Sequence, residues 1–292
     1  MSRELAKRGC GFKVLDKSDM DLSDEASIPA LASIAGGFNC FFMLASEIGV
    51  RLFQSDMAAE AGRTNRKIYD NVMSALLRSG VKGAELFYYS TSEVYWSMPS
   101  PDVYIDDAVV PGSDIDYGNP RSVYAAGKLY AERNLRDRTR FFGDGEFSAV
   151  NVIRPFNVYG PGQRRGVMYS MMRSGLVERK IRYSDDTTRT LTELSYISKK
   201  TVDLVGRAGY RAVNMFDGVS VDMETLAGAV QRFLSWKTGR RPPALERLPP
   251  DRTIRYRQSS AVIRDPDAVF ERLKASADMN ALFEEISAEA GS

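Results

Sequence analysis

The feature of this sequence that most constrains its fold is the alternation of short apolar runs with longer amphipathic segments. Three runs are rich in aromatic and aliphatic residues and predict buried strands: FNCFFMLAS at 38–46, AELFYYSTSEVYW at 84–96 and FSAVNVIRPFNVYG at 147–160. Between them, residues 58–80 and 121–138 carry apolar side chains at helical spacing. Repeated units of this length predict an α/β fold, a parallel sheet with helices on both faces.

The first residues, MSRELAKRGCGFKVLD, are typical of the middle of such a unit. Ser2–Arg8 predicts the end of a helix, Gly9–Gly11 its stop, and Phe12–Asp16 a strand that ends in an acid. Residues 22–36 predict a further helix that begins at a Ser or Asp cap. A strand and a glycine-rich loop normally precede a helix like the first one, so we expect this chain to lack a phosphate-binding loop.

The composition excludes several classes of function. Forty basic and thirty-eight acidic residues are interspersed, which argues against a nucleic-acid or membrane partner. The run CFFMLA is too short to span a bilayer and the N-terminus lacks a signal peptide, so we expect a cytoplasmic protein. Cys10 and Cys40 fit no metal spacing and are predicted to be small buried hydrophobes. Because histidine is absent, proton transfer must use Tyr, Lys, Glu, Asp or Ser, and we expect no metal site.

The last hundred residues differ in character from the rest of the chain. Residues 240–252, RRPPALERLPPDR, predict a basic proline-rich loop, and residues 265–273 and 278–290 predict terminal helices. With 292 residues and 43% hydrophobic content, the chain is long enough for one large domain and a smaller lobe.

Two polar clusters carry the strongest chemical signal. Tyr124 and Lys128 are one helical turn apart, so both side chains project from one helix face, where an ammonium would lower the pKa of the phenol and make it a base. The same spacing also occurs where a tyrosine is only half-buried beside a lysine. About thirty residues upstream, Ser90–Glu93 follows a predicted strand, and ligands bind at such carboxyl ends.

These clusters resemble a known family. STSEVYW, NPRSVYAAGKLYAE and VIRPFNVYGPGQ resemble three successive signatures of the extended short-chain dehydrogenase/reductase superfamily, the NAD-dependent nucleotide-sugar epimerases and dehydratases. The resemblance runs in order over about residues 2–220. It implies a Rossmann-like doubly wound parallel sheet without the first strand and glycine loop. It also implies an NAD-binding domain at 1–160 and, at 161–292, mostly a substrate-binding lobe with returns to the main sheet.

The resemblance implies transient oxidation of a sugar carbon, with NAD as the cofactor and a nucleotide-diphosphate sugar as the substrate. Tyr124 matches the base, Lys128 its ribose-binding partner and Thr91 the catalytic hydroxyl. Ser92 and Glu93 match the Ser-Glu pair of GDP-mannose dehydratases and UDP-glucuronate decarboxylases. The residues implied to contact the cofactor are Asp16, Asp21, Leu22, Leu44, Ala45, Ser46, Tyr124, Lys128 and Pro155. The residues implied to bind the substrate are Thr91, Ser92, Glu93, Asn157 and Arg189.

Three departures from the family pattern leave the activity open. Trp96 replaces a glycine, Met43 replaces a histidine, and no GxxGxxG loop is present, since the glycines of 160–166 have another spacing. The first hypothesis is an epimerase, dehydratase or decarboxylase, an isomerase or lyase of carbohydrate biosynthesis, whose sequence here starts too late or is a fragment; the second and third treat the missing loop as a genuine loss. The second is a cofactor-poor relative that binds sugar nucleotides or a partner, with weak NAD binding. The third is a scaffold with relic motifs. The family also implies a homodimer through the Tyr124 helix and the 57–80 helix.

Overall fold

The computed structural model has a mixed α/β fold with a parallel sheet, as predicted. It describes residues 1–47, 55–95, 120–141, 146–184, 188–217, 219–249 and 262–291. In chain order the helices are α1 Ser2–Lys7, α2 Ile28–Ala35, α3 Ser55–Arg78, α4 Pro120–Phe141, α5 Val167–Val177, α6 Leu194–Val202, α7 Met223–Thr238, α8 Pro266–Ala275 and α9 Ala277–Gly291. The strands are β1 Cys40–Met43, β2 Ala84–Tyr89, β3 Phe147–Pro155, β4 Val158–Tyr159, β5 Lys180–Tyr183, β6 Thr188–Glu193, β7 Gly209–Met215, β8 Val219–Asp222, β9 Ala244–Arg247 and β10 Val262–Ile263.

The chain forms two compact units. The first comprises the described residues from Met1 to Arg154 together with Lys199–Asn214. The second comprises Pro155–Ser198 and the described residues from Met215 onward. The chain therefore leaves the first unit after β3 and returns to it to form most of β7. No helix in the described ranges is both long and apolar enough to cross a membrane.

The first unit is built on a four-stranded sheet in the order β1-β2-β3-β7. β1, β2 and β3 are parallel, so their carboxyl ends meet at one edge of the sheet. Leu86 and Tyr88, two residues apart on β2, and Val150 on β3 share a buried cluster with Tyr69 of α3 and Leu135 of α4. The period-2 pattern of the strands and the helical spacing of α3 and α4 thus meet in one core, because each buries its apolar side there.

The second unit has its own core. A sheet in the order β10-β8-β6-β4 and a two-stranded sheet of β5 and β9 pack with α5, α7, α8 and α9. Met168, Met172, Phe233 and Leu282 lie in the shared cluster and are fully buried. Asp222 begins α7, where its side chain accepts a hydrogen bond from the Thr225 amide at 2.8 Å.

Three local predictions are wrong. Phe12–Asp16 is not a strand: it pairs with no strand among the described residues, and Phe12 and Val14 are exposed, so a strand-like composition alone did not produce a ladder. The predicted loop at 240–252 contains β9, which pairs in parallel with β5, and prolines flank this strand on the N-terminal side without interrupting it. Cys10 is exposed and Cys40 is half-buried, so neither is fully buried.

The glycines of the 160–166 loop differ in what a side chain would meet. A Cβ on Gly160 would lie 2.8 Å from the Leu194 Cβ, and this glycine has a φ of +152°. A Cβ on Gly162, with a φ of +82°, would meet no atom within 4 Å. We expect Gly160→Ala to lower the free energy of unfolding by about 2–3 kcal/mol, because it adds a clash to backbone strain.

The matched variant Gly162→Ala adds strain without the clash and is expected to cost about 1 kcal/mol. Urea unfolding of both variants measures the difference. Equal losses for the two variants would show that the contact with Leu194 has no energetic effect.

Candidate functional site

The carboxyl ends of β1 and β2 bring together several of the predicted site residues in the first unit. Ser46 follows β1, and Thr91 and Glu93 follow β2, where residues 92–95 form a single 3-10 turn. The side chains of Ser46 and Thr91 lie near enough to the Tyr124 phenol on α4 to lower its pKa as hydrogen-bond partners, and the Glu93 carboxylate lies near enough to raise it. Three predicted residues, from the segments that follow β1 and β2, therefore lie around the phenol of a fourth, Tyr124.

Burial dominates the acidity of this phenol. It raises the pKa of Tyr124 to about 12; the Glu93 carboxylate adds to the rise, while the hydrogen bonds with Ser46 and Thr91 oppose it. The sequence predicted a lowered pKa from Lys128, and that direction is wrong for the protein without ligands. The reason is that only 9% of the Tyr124 surface is exposed, and a buried phenolate loses its hydration.

Lys128 lies one turn along α4 and is fully enclosed. Its Nζ donates a hydrogen bond of 2.8 Å to the carbonyl of Tyr89 and lies 5.1 Å from the centre of the Tyr88 ring. Burial lowers the pKa of Lys128 to about 8, and the charge of Glu132 opposes this change. The ammonium is thus fixed at the end of β2. Because its pKa is about 8, it is close to losing its proton near neutral pH.

Asn65 of α3 fixes the segment after β1. Its side-chain oxygen accepts from the Ser46 hydroxyl at 3.0 Å and from the Glu47 amide at 2.6 Å, and its nitrogen donates to the Glu47 carbonyl at 3.1 Å. The sequence does not predict a role for Asn65, because one asparagine within an amphipathic helix carries no distinguishing pattern. Leu44 and Ala45 lie in the same segment, and Leu44 is 47% exposed.

A buried ion pair between Glu132 of α4 and Arg154 of β3 was also missed. The Arg154 Nη2 donates to Glu132 Oε2 at 2.7 Å, and both side chains are about 5% exposed or less. A signal was present in the sequence: Glu132 continues the one-turn spacing of Tyr124 and Lys128 on the same helix face. The predicted residue Ser92 is buried in the neighbouring turn.

The two acids implied to contact the cofactor, Asp16 and Asp21, lie in turns of the N-terminal segment. Asp16 Oδ1 accepts from the amide and hydroxyl of Ser18, which lowers the pKa of Asp16. Asp21 accepts from Ser23 in the same way. Leu22 packs on the core of the first unit, and its carbonyl accepts from Asn71 of α3. Asp16 therefore caps a turn instead of ending a strand.

The remaining predicted residues belong to the second unit. Pro155 ends β3, and the Asn157 side chain donates to the Thr190 carbonyl at 3.0 Å, next to Arg189 on β6. Asn157 has a φ of +20°, a region that few non-glycine residues adopt. These contacts place Asn157 close to Arg189. Trp96 lies outside the described residues.

The sequence matches the model of the NAD dependent epimerase/dehydratase family over residues 2–191, which is more than half of the chain. No curated protein matches it. Several solved structures share its fold.

Three of these structures show the extent of the similarity. RMD from Pseudomonas aeruginosa, complexed with NADPH, has 20% identity and a TM-score of 0.69 over 98% of this chain and 95% of its own. UDP-glucose-4-epimerase from Stenotrophomonas maltophila, with bound NAD and formylated UDP-arabinopyranose, has 16% identity and a TM-score of 0.70 over 98% and 94%. UDP-glucuronic acid 4-epimerase from Bacillus cereus, in complex with UDP-glucuronic acid and NAD, has 19% identity and a TM-score of 0.65 over 98% and 84%. At these identities the similarity establishes the fold.

Proposed function

The chain belongs to the NAD dependent epimerase/dehydratase family, and from this premise we propose that it converts a nucleotide-diphosphate sugar by transient oxidation of the sugar, with Tyr124 as the base. One observation carries the proposal: the Thr91 and Ser46 side chains, which follow two parallel strands at their carboxyl ends, lie near enough to the Tyr124 phenol to lower its pKa as hydrogen-bond partners. A sugar hydroxyl that replaced one of these partners would place its proton at the phenol oxygen.

The groups present suit a nicotinamide nucleotide. An ammonium has three N–H donors, and the Tyr89 carbonyl takes one from Lys128, so others can serve a ribose diol. Ser46 offers a second hydroxyl, and the exposed Leu44 an apolar surface for a ring. NAD, when bound, supplies the hydride acceptor for oxidation of the sugar. In this proposal Asp16, Asp21, Leu22, Ala45 and Pro155 complete the cofactor contacts.

The substrate would be recognised by two further groups of residues. Thr91, Ser92 and Glu93 would contact the sugar, where a hydroxyl can donate to a developing ketone and a carboxylate can move a proton at the neighbouring carbon. Asn157 and Arg189 would bind the diphosphate, since a guanidinium matches phosphate oxygens with two parallel donors. The unusual φ of Asn157 supports a functional position, because strained residues cluster at ligand sites.

The test is to incubate the protein and NAD with a panel of UDP-, GDP- and dTDP-sugars and to read product masses and stereochemistry. An unchanged mass with inverted stereochemistry indicates an epimerase, loss of water a dehydratase, and loss of CO₂ a decarboxylase. No conversion of any member of the panel would contradict the proposal.

A second function, sugar-nucleotide or partner binding without catalysis, is favoured by one observation. Burial and the Glu93 carboxylate raise the pKa of Tyr124 to about 12, which disfavours the phenolate that acts as a base. Calorimetric binding of a panel member without any conversion would support this function. The homodimer through α3 and α4 and the cytoplasmic location implied by the family resemblance stay predictions.

A further inference from the structure

A continuous chain of buried polar groups runs through the first unit. The Ser90 hydroxyl donates to Glu132, and Glu132 is bound by Arg154 through Nη2 at 2.7 Å and Nε at 3.3 Å. Arg154 Nη1 donates to the Tyr95 hydroxyl at 2.7 Å, which in turn donates to Asn214 of β7 at 2.8 Å. This series of hydrogen bonds therefore links the segment after β2 with α4, β3 and β7 through side chains.

These hydrogen bonds hold the turn of the candidate site at both of its ends. Ser90 immediately precedes Thr91, and Tyr95 is the last residue of the 3-10 turn that follows. Ser90 is also fixed through its backbone, because its amide donates to the Ile153 carbonyl at 2.7 Å. The position of Thr91–Glu93 relative to α4 is thus set by contacts with one ion pair, Glu132 with Arg154.

One member of this ion pair, Glu132, lies on the helix that carries the candidate base. Tyr124, Lys128 and Glu132 are spaced at one-turn intervals on α4. The groups around the Lys128 ammonium are the Tyr89 carbonyl, the Tyr88 ring and the Glu132 carboxylate. Glu132 therefore contacts the turn on one side and influences the charge of Lys128 on the other.

Stability alone is a poor explanation for this arrangement. Two buried charges lose their hydration, and an apolar pair of similar volume is often as stable. The ion pair instead fixes the orientation of its neighbours. A guanidinium and a carboxylate meet in a fixed geometry, so their remaining donors and acceptors point in defined directions. Here those remaining positions bind Ser90 and Tyr95.

We propose that Glu132 and Arg154 are positioning residues, which hold both ends of the turn carrying Thr91, Ser92 and Glu93 in fixed register with Tyr124 on α4. This inference rests on the proposed function for its catalytic consequence. Its structural part concerns only residues of the first unit and can be tested without any substrate.

The first experiment measures the charge of Lys128. In protein labelled with ¹³C at the lysine ε-carbon, the Lys128 signal is assigned by its loss in Lys128→Met and is expected to titrate at about pH 8. In Glu132→Gln the midpoint is expected to fall by about one pH unit, because a neighbouring negative charge is removed. In the matched control Tyr69→Phe, which deletes another buried hydrogen bond to α4, it is expected to stay unchanged. An unchanged midpoint in Glu132→Gln would overturn the coupling.

The second experiment loosens the turn while keeping the ion pair, in case Glu132→Gln does not fold. Ser90→Ala removes one hydrogen bond at the first end of the turn, and Tyr95→Phe removes two at the other end, from Arg154 and to Asn214. Each is expected to shift the methyl NMR signal of Thr91, whereas Tyr69→Phe leaves it in place. Native Thr91 signals in both variants would overturn the positioning role.

The catalytic consequence is read with whichever sugar nucleotide the wild-type protein converts. Ser90→Ala is expected to lower kcat about tenfold and to leave KM within about twofold, because misplacing a catalytic group costs rate more than binding. Equal kcat values would overturn this part. If the wild-type protein converts nothing, the proposed function fails, while the two NMR experiments still decide whether the ion pair positions the turn.

Discussion

Tyr124→Phe is expected to lower kcat about 10³-fold while the affinity for the sugar nucleotide stays within about twofold. The phenol oxygen is the atom that Ser46 and Thr91 surround, and its removal leaves the ring to fill the same volume. Turnover is measured from product masses with the best member of the sugar-nucleotide panel. Affinity is measured by titration calorimetry with the same compound.

The matched control for this variant lies on the same helix. Tyr130 is 37% exposed, and its hydroxyl donates to Asp70 at 3.0 Å, away from the carboxyl ends of the strands. Tyr130→Phe makes the same chemical change and is expected to leave kcat unchanged. Loss of sugar-nucleotide binding in Tyr124→Phe would assign Tyr124 a structural role, and full turnover would exclude it as the base.

Lys128→Met is expected to abolish turnover and yet to stabilise the protein. The folded protein holds an ammonium that is 3% exposed, and burial lowers its pKa from 10.5 to about 8. A pKa change of this size lowers the free energy of unfolding of the wild type by about 3 kcal/mol at pH 7. Lys128→Met also removes the hydrogen bond to Tyr89, which lowers the free energy of unfolding by about 1 kcal/mol. The net change is therefore a rise of about 2 kcal/mol in the free energy of unfolding.

The gain from Lys128→Met has a defined pH dependence. Below about pH 8, Lys128 is protonated in the folded and the unfolded chain, so the whole cost of burying the charge is present in the wild type. Between about pH 8 and 10.5 the folded protein has lost this proton and the unfolded chain still binds it, so the wild type gains stability as the pH rises. The advantage of the variant should therefore shrink over that interval.

Urea unfolding at pH 7 and pH 10 measures this difference. The matched control is Lys67→Met on α3, which replaces an exposed lysine and is expected to change stability by less than about 0.5 kcal/mol at either pH. A Lys128→Met variant that is less stable than the wild type at pH 7 would show that the buried ammonium is fully compensated by its partners.

The sequence predicts those helices and strands that can be recognised from the distribution of apolar residues within their own segment. α3 and α4 are long helices with one apolar side, and β2 and β3 are short apolar runs that are buried over most of their length, so each could be found from its own residues. Ser46, Thr91 and Tyr124 were implied as site residues by the family resemblance, and Ser46 and Thr91 follow parallel strands, whose carboxyl ends meet at one edge of the sheet.

What the sequence does not predict depends on partners distant in the chain. Phe12–Asp16 has the composition of a strand, but a strand exists only where a neighbour supplies hydrogen bonds. The acidity of Tyr124 depends on its burial, which the spacing to Lys128 does not reveal. The one-turn spacing after Lys128 marks the position of Glu132, but its contact with Arg154 joins a helix to a strand 22 residues away, and the spacing does not identify that partner.

The return of β7 to the first sheet bears on how this protein can be divided. β7 follows β3 in strand order, although 53 residues separate the end of one from the start of the other, Pro155 to Gly209. A fragment that stopped at Arg154 would leave the side of β3 that faces β7 without a neighbour, and unpaired strand edges promote aggregation. The two units are therefore not interchangeable modules. In a chimera that takes its second unit from a relative, residues 199–214 must still come from the protein that supplies the first unit.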